Sequence, residues 1–357
     1  MRSILLLLLA GPLSTGCTAP WLARKLVAAP NRSGASIRNL VDIGREFTPR
    51  RFDLPATEGR PAVSLAAAIV EPGDWKLVYA FDAARTAKAL NLSLEVSFRR
   101  PEAAPLRPRG TVFLLHGFAQ QKEQLAPWAV TLAQAGYRCV LVDLRGHGES
   151  TGGWIGYGAF EAMDLKLFLD RMAEAGLVEG KVGVLGVSLG ASTALLWAGQ
   201  DGRVATVVAL EPFADPRAAI ASLLRNFPPF RRKLGWAPDA TLRKAVQEAP
   251  GVAGFRWGQI DIPGAVAGSG RPVLFLHGAK DTLVPPADSE ALRAVAAPGS
   301  RLVLLPEADH ITLPFLLKPL EAEVLGWFAG QLGGGPAGAP ADPPRSPQGT
   351  RISRPGK

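Results

Sequence analysis

The most informative stretch of this chain is Gly186-Val187-Ser188-Leu189-Gly190. The largely apolar run 181–185 before it is typical of a buried strand, and the run 191–197 after it favours a helix. Glycines on both sides of Ser188 permit a sharp turn between the two elements, because glycine accepts backbone conformations that strain other residues. A serine on such a turn lies beside a helix N-terminus, which stabilises negative charge. The pattern therefore predicts a nucleophile at Ser188.

A second apolar run, 111–115, ends in His116-Gly117-Phe118-Ala119. A strand that runs into His-Gly suits a loop that binds the oxyanion of a reaction intermediate. Glycine lets the backbone turn there and aim a free N–H group at the substrate oxygen. We predict that the backbone N–H groups of Phe118 and Leu189 form this oxyanion hole.

Two later loops of the chain contain a candidate acid and a candidate base. The run 272–276 ends in His277-Gly278-Ala279-Lys280-Asp281, and the run 301–305 is followed by Glu307-Ala308-Asp309-His310. The chain has only 4 histidines, and only His310 lies beyond Asp281. Serine, aspartate and histidine in this chain order are typical of a Ser-His-Asp triad.

From about residue 92 to residue 332 the chain resembles the α/β-hydrolases. The resemblance is carried by residues 186–190, by Asp143-Leu144-Arg145-Gly146-His147-Gly148-Glu149-Ser150 and by His277-Gly278-Ala279-Lys280-Asp281-Thr282-Leu283-Val284-Pro285, which are similar to the esterase, lipase and serine-aminopeptidase-like branch. It implies an α/β-hydrolase fold, with a mostly parallel central sheet flanked by helices and a helical lid between two late strands. Alternation of short apolar runs with amphipathic segments favours the same architecture.

Glu211 competes with Asp281 for the role of the triad acid. It ends the apolar run 204–210, and some members of this fold place the acid after that strand. Asp281 is favoured because Asp-Thr-Leu-Val-Pro at 281–285 matches the acid loop of the resembling branch, whereas Glu211 matches no such pattern. Asp309, next to the base, fits a loop-capping role.

The interval 212–270 is too long for a simple connection between strands, so we expect the lid there. Residues 212–271 carry nine Lys and Arg against four Asp and Glu, including Arg231-Arg232-Lys233, so the lid disfavours substrates with a free amine. The lid also has apolar and aromatic residues that are expected to line it: Leu223, Leu224, Phe227, Phe230, Leu234, Trp236, Phe255 and Trp257.

Differences in composition predict the bounds of the other segments of the chain. Residues 18–74 are mixed and are predicted to be an N-terminal tether and surface wrap. Residues 75–332 are predicted to be the hydrolase domain, whose sheet starts with two strands between residues 75 and 99. Residues 333–357 are rich in Gly, Pro, Ala and Arg and are predicted to be a disordered tail.

Residues 1–17 predict a lipoprotein-type signal segment. A charged start precedes the short apolar run 4–10, which is too short to span a bilayer, and Ser14-Thr15-Gly16-Cys17 resembles a bacterial lipobox. The match leaves ordinary signal cleavage open, because Leu13 lies one residue further from Cys17 than the usual pattern requires. We therefore expect lipidation of Cys17 and a membrane-anchored protein of the bacterial cell envelope, with a secreted or periplasmic protein as the alternative.

Composition also excludes several kinds of site. With 357 residues and 47% hydrophobic content, the chain can bury one large core. The net charge is +9, yet no nucleic-acid-binding module or basic helix with interleaved aromatics occurs. The 2 cysteines are remote from each other, so Cys139 is predicted to be a buried free thiol. Neither the cysteines nor the histidines have metal-ligand spacing, and no metal or cofactor is implied.

The predicted activity is hydrolysis of small carboxylic esters by acyl transfer, in the carboxylesterase or lipase class. Serine at the elbow argues against dehalogenases and epoxide hydrolases of this fold, which use an aspartate nucleophile. A serine aminopeptidase or a thioesterase remains open, because the same triad serves both. A rival of another class is a catalytically silent envelope-binding lipoprotein, against which the three triad residue types and the His-Gly loop argue.

Overall fold

Short apolar runs form most of the central strands, as the sequence predicts. A computed structural model describes residues 18–30, 46–85, 90–234 and 237–333. The strands of this described part are β1 (Thr48–Leu54), β2 (Val63–Val70), β3 (Lys76–Arg85), β4 (Leu90–Arg99), β5 (Thr111–Leu115), β6 (Arg138–Val142), β7 (Val182–Val187), β8 (Val204–Leu210), β9 (Val273–Gly278) and β10 (Arg301–Leu305).

Helices alternate with most of these strands. In chain order they are α1 (Thr18–Val27), α2 (Ala126–Gln134), α3 (Glu161–Glu174), α4 (Leu189–Gln200), α5 (Pro216–Asn226), α6 (Pro228–Leu234), α7 (Asp239–Ala253), α8 (Ile262–Ser269), α9 (Pro286–Val295) and α10 (Leu317–Leu332). Short 3-10 turns occur at Lys122–Leu125, Trp257–Gln259 and Leu313–Phe315.

The main sheet has eight strands in the order β1-β2-β6-β5-β7-β8-β9-β10. From β6 to β10 all neighbours run parallel, whereas the pairs β1–β2 and β2–β6 are antiparallel. Apolar clusters cover both faces: α3 and α4 contribute to one, α2 and α10 to the other. Parallel strands are buried on both sides and need such cover. The predicted architecture, a mostly parallel sheet flanked by helices, is confirmed.

The predicted N-terminal boundary of the domain is wrong. The first two strands of the main sheet are β1 and β2, which lie in the predicted tether, whereas β3 and β4 pair in a two-stranded sheet of their own. Ala66, Ala67 and Ala68 of β2 have a weak intrinsic strand preference, which hides this strand in the sequence. Between β1 and β6 these alanines are only 2–3% exposed, and the tight packing explains their small size.

Residues 18–27 are not a tether either, because they form α1, which packs against α7. The backbone N–H of Ile155 also donates to the carbonyl of Val27 at 2.9 Å. The buried residues of α1 recur at the spacing of one helical face: Ala19, Leu22, Ala23, Leu26 and Val27. The N-terminal helix is therefore an integral part of the fold.

Helices α5 to α8 occupy the interval between β8 and β9 where the sequence predicts the lid. Of its expected lining residues, Leu224, Phe230, Leu234 and Phe255 are buried, and Leu223, Phe227 and Trp257 are partly buried against the core. Trp236 lies outside the described residues. The role of this segment as a lid stays a prediction.

Candidate active site

Ser188 lies on a strained turn between β7 and α4. Its backbone has φ 51° and ψ −114°, a region that residues with a Cβ rarely adopt. A Cβ at Gly186 would lie 2.5 Å from the carbonyl oxygen of Gly190, and one at Gly190 would lie 2.2 Å from that of Leu115. Only glycine fits at these two positions, which explains the glycines on either side of the serine.

The structure brings the three predicted triad side chains together. Ser188 Oγ lies 3.0 Å from His310 Nε2, and His310 Nδ1 lies 2.6 Å from Asp281 Oδ2. The other carboxylate oxygen of Asp281 accepts the backbone N–H groups of Leu283 at 2.8 Å and Val284 at 2.9 Å. These residues come from the loops after β7, β9 and β10, which meet at the carboxyl edge of the sheet.

His277 supports Asp281, a role that sequence reasoning missed. Its Nε2 lies 3.3 Å from Asp281 Oδ2 and 3.0 Å from the carbonyl oxygen of Val284, while its Nδ1 lies 2.7 Å from Ser289 Oγ. Burial raises the pKa of Asp281, but the hydrogen bonds from His277 and His310 outweigh burial and hold that pKa at about 2. Asp281 is therefore ionised at neutral pH.

The predicted oxyanion loop lies beside the serine. A Cβ at Gly117 would be 3.6 Å from the Cβ of Ser188, so Phe118 follows at the edge of the site. His116 organises the loop, because its Nδ1 lies 2.8 Å from the carbonyl oxygen of Gly117. Leu189 is the first residue of α4, and its N–H has no helical partner. The two predicted donors belong to the right loops, and their catalytic role stays a prediction.

A stacked aromatic group adjoins this loop. The ring of Tyr157 stacks on that of Phe118 at 6.3 Å and 16°, and Trp257 lies 6.1 Å from Tyr157. Tyr157 Oη donates to the carbonyl of Leu26, in α1, at 2.6 Å. No local signal in the sequence connects these residues, because they are far apart along the chain.

Glu211 lies behind His310. Its Oε2 is 3.5 Å from His310 Nδ1, and its side chain is wholly buried. Burial and the charge of Asp281 raise the pKa of Glu211 well above its ordinary value, against a smaller lowering by the backbone N–H of Gly278. Asp281 at 2.6 Å, not Glu211, therefore makes the short hydrogen bond to the histidine.

Several residues with a strained backbone lie at this site. In the described part of the chain, the residues other than glycine with positive φ are Ala119, Tyr157, Ser188 and Glu211. All four lie in or against the site. Such conformations persist only where the surroundings hold them, and they are typical of functional sites.

A metal would have to compete with the hydrogen bonds of the triad. Glu211, Asp281 and His310 each bring one ligand atom to within 4.8 Å of the others. The bond between His310 Nδ1 and Asp281 Oδ2 already uses two of the atoms that a cation would need. A cation at this cluster would therefore have to displace the hydrogen bond between His310 and Asp281.

Cys139 is a buried free cysteine, as predicted. Cys17 and the rest of the signal segment lie outside the described residues, as does the predicted tail from residue 334 onward. Within the described ranges, no helix has the combined length and apolar character needed to cross a membrane.

This chain is similar in sequence to a hydrolase family model and to a protein of Bacillus subtilis. Residues 106–250 match a family model described as serine aminopeptidase, S33. An uncharacterized protein of Bacillus subtilis (strain 168), YqkD, is 26% identical over 210 residues, which cover 58% of this chain and 67% of that protein.

Two solved structures show the same fold. The esterase Pf2001 of Pyrococcus furiosus superposes with a TM-score of 0.58 at 17% identity, over 84% of this chain and 96% of the esterase. A 2,6-dihydroxy-pseudo-oxynicotine hydrolase superposes with a TM-score of 0.56 at 16% identity, over 90% of this chain and 76% of that one. At such identities the likeness establishes the fold.

Proposed function

We propose that this chain, which has the fold of the α/β-hydrolases, is a serine hydrolase of their esterase, lipase and serine-aminopeptidase-like branch and cleaves carboxylic esters. One observation carries the proposal: a continuous hydrogen-bonded path runs from Ser188 through His310 to the ionised carboxylate of Asp281. This path ends at the strained turn that presents Ser188, next to the loop of Gly117 and Phe118.

In the proposed reaction, Ser188 Oγ attacks the ester carbonyl while its proton passes to His310 Nε2. Asp281 accepts the Nδ1–H of the same ring, so it fixes the tautomer and stabilises the imidazolium. Asp281 suits this role because it is ionised and is itself held by two backbone N–H groups.

The negative charge of the tetrahedral intermediate would be bound by the N–H groups of Phe118 and Leu189. Each such donor contributes roughly 3 kcal/mol to lowering the barrier in enzymes of this kind. His310 then gives its proton to the leaving alcohol, and a water molecule repeats the sequence to release the acid from Ser188. The residues of the chain supply every proton transfer in this scheme.

The substrate is proposed to be a neutral or anionic ester with an apolar acyl chain. The aromatic group of Phe118, Tyr157 and Trp257 favours apolar substrates, and the exposed Arg231, Arg232 and Lys233 on α6 disfavour a free amine. The match of residues 106–250 to the serine aminopeptidase S33 family supports the alternative, a serine aminopeptidase. That enzyme would need carboxylates to bind the amino group of its substrate.

Two further parts of the proposal concern location and access. Helices α5 to α8 would act as a lid over the site, since Trp257 of this segment lies beside Tyr157. Lipidation of Cys17, directly before α1, would anchor the protein in the bacterial cell envelope. Both rest on the sequence pattern together with the position of these helices.

The central test is active-site labelling. A fluorophosphonate probe is expected to label the wild-type protein and not Ser188→Ala, because the probe reacts with an activated serine. Ser93→Ala, at an exposed position on β4, is the matched control and is expected to label normally. Labelling that persists in Ser188→Ala would contradict the assignment, and a folded wild-type protein without labelling or ester turnover would favour the silent binding protein.

A further inference from the structure

Glu211 is a buried carboxyl group for which the proposed mechanism has no use. Its side chain is 0% exposed, and neither carboxylate oxygen has a hydrogen-bond partner of regular geometry among the described residues. The distance of 3.5 Å to His310 Nδ1 exceeds that of a good hydrogen bond. The backbone of Glu211 is also strained, with φ 53°.

The position of Glu211 is set by the sheet. Its own N–H donates to the carbonyl of Leu276 in β9 at 2.9 Å, and the N–H of Ser188 donates to the carbonyl of Leu210 at 2.8 Å. Glu211 is therefore tied to the strands that carry the nucleophile and the acid. The fold holds this carboxyl group beside the histidine at the cost of a strained backbone.

The titratable groups around Glu211 come from two loops. Asp281 follows β9 and His310 follows β10, and one atom of each lies within 4.8 Å of a Glu211 oxygen. Beyond Asp281 lie His277 on β9 and, from α9, Asp288. Burial and, to a lesser extent, the charges of Asp215 and Asp281 raise the pKa of Asp288, against a lowering by the backbone N–H of Ala214 and by His277. In the described part of the chain, no lysine or arginine forms an ion pair with Glu211.

Burial and the nearby Asp281 favour the protonated, neutral form of the Glu211 carboxyl group. An ionised carboxylate that is buried without hydrogen bonds is very unfavourable. Two carboxylates that share one site do not both ionise at neutral pH. Asp281 accepts hydrogen bonds from two backbone N–H groups and from His310, whereas Glu211 has only the weaker interaction with the backbone N–H of Gly278, which is not a hydrogen bond of regular geometry.

We propose that Asp281 and Glu211 form a carboxyl pair that holds one proton, with Glu211 as its protonated member and as a reserve acid for His310. The inference rests on the proposed function. In the intact site Glu211 is neutral and leaves the orientation of His310 to Asp281. When the charge of Asp281 is removed, Glu211 ionises and accepts the Nδ1–H of His310.

When Glu211 replaces Asp281 as the acid, one proton leaves the Glu211 carboxyl group. In Asp281→Asn, the carboxyl O–H of Glu211 dissociates and its proton goes to solvent. The carboxylate moves by a side-chain rotation across the 3.5 Å gap and accepts the Nδ1–H of His310. The asparagine amide donates an N–H to the same carboxylate. During acylation the proton of Ser188 still passes to Nε2 and then to the leaving alcohol, so no other reactant is needed.

The test compares four variants of the full chain with the wild type in hydrolysis of p-nitrophenyl butyrate, from mildly acidic to mildly alkaline pH. The variants are Asp281→Asn, Glu211→Gln, the double variant and the control Glu290→Gln at an exposed position on α9. Near-ultraviolet circular dichroism establishes that each variant is folded. Fluorophosphonate labelling of the wild type establishes separately that Ser188 is an active nucleophile.

We expect Glu211→Gln and Glu290→Gln to stay within about threefold of the wild-type kcat, because Gln replaces a neutral carboxyl group in the first and an exposed group in the second. The kcat of Asp281→Asn should fall by about 10²-fold, because Glu211 partly replaces the missing acid. The double variant should lose about 10⁴-fold, the full effect of neutralising a triad aspartate. The ratio of kcat between Asp281→Asn and the double variant should rise with pH as Glu211 loses its proton, and then level off.

Several outcomes would overturn the inference. Equal turnover of Asp281→Asn and the double variant at every pH would show that Glu211 cannot replace the acid. A loss of about 10⁴-fold in Glu211→Gln alone would show that Glu211 is the working acid. A wild type that neither labels nor hydrolyses the ester would instead refute the proposed function, so the two failures are distinguishable.

Discussion

Tyr157 joins the N-terminal helix to the proposed oxyanion loop through its contact with Leu26. Its hydroxyl donates to the carbonyl of Leu26 at 2.6 Å while its ring stacks on Phe118. The backbone of Tyr157 has φ 52°, a strained value, so tertiary contacts must hold this residue in place. A segment far from the active site in sequence thus supports the loop that is proposed to bind the oxyanion.

Tyr157→Phe is expected to lower the free energy of unfolding by about 1 kcal/mol, because a buried hydrogen bond is lost while the ring remains. Turnover of esters should hardly change. Tyr157→Leu should additionally reduce kcat, since Phe118 loses its stacked neighbour. Urea unfolding and ester hydrolysis measure the two effects.

Tyr137→Phe is the matched control for this prediction. The hydroxyl of Tyr137 is also buried but has no hydrogen-bond partner among the described residues. Its removal should leave the free energy of unfolding unchanged or raise it. Equal destabilisation by the two Tyr→Phe changes would show that the bond to Leu26 contributes nothing.

His116 and His147 are expected to make the protein sensitive to acid. Burial lowers the pKa of His116 to about 4, and burial together with the nearby His116 lowers the pKa of His147 to about 3. As the pH falls below 6.5, the unfolded chain binds protons that the folded protein does not. The free energy of unfolding should therefore fall with pH, by up to about 1.4 kcal/mol per pH unit for each histidine.

His147→Asn tests this prediction. His147→Asn removes the titrating ring, together with the 2.8 Å hydrogen bond between His147 Nδ1 and the carbonyl oxygen of Arg145 and the ring contacts with His116 and Phe118. Those losses lower the free energy of unfolding at every pH, so the test is the slope with pH and not the absolute value. Urea unfolding at several pH values between 6.5 and about 4 should show a shallower slope for the variant than for the wild type. Other titrating groups act equally in both proteins, so parallel slopes would contradict the prediction.

The residues that meet at the site were easier to predict from the sequence than the strands and contacts around them. Ser188, Asp281 and His310 each follow a short apolar strand, and the ends of parallel strands meet at one edge of the sheet. Local patterns were enough to predict these three residues, and the structure brings their side chains together, while their catalytic roles stay predictions. The strand β2 was missed because its alanines show their strand character only between two neighbours.

The supporting contacts were missed for a related reason. His277 next to Asp281 is a loop histidine by its local pattern, and only the fold brings its Nε2 to 3.3 Å from the carboxylate. The protonation of Glu211 depends on burial and on a charge contributed by another loop. Such properties arise from tertiary structure and have no signature at a fixed spacing along the chain.

Cys17 is expected to carry a lipid when the full chain is expressed in a bacterial host. The wild type should partition into detergent and show the additional acyl mass, whereas Cys17→Ser should do neither. Cys139→Ala is the control, because Cys139 is buried in β6 and should not be acylated. A wild-type protein that leaves the membrane in ordinary buffer without acyl mass would refute the anchor and favour a secreted or periplasmic protein.

The last prediction concerns the acyl chain of the substrate. A chain that lies against the rings of Phe118, Tyr157 and Trp257 gains about 0.8 kcal/mol for each methylene removed from water. We therefore expect kcat/KM to rise from acetyl to about butyryl or hexanoyl esters. Trp257→Leu should flatten this rise, because it removes the ring that the helical segment contributes.

The control for this series is Trp154→Leu, because Trp154 is partly buried and lies under Arg24 of α1 rather than in the aromatic group. It should leave the dependence on chain length unchanged. Aminoacyl naphthylamides should be cleaved slowly by all three proteins, since residues 212–271 carry nine Lys and Arg against four Asp and Glu and so disfavour a substrate with a free amine. Faster cleavage of these amides than of butyryl esters would reverse the substrate assignment and establish the aminopeptidase alternative, with the same Ser188 as its nucleophile.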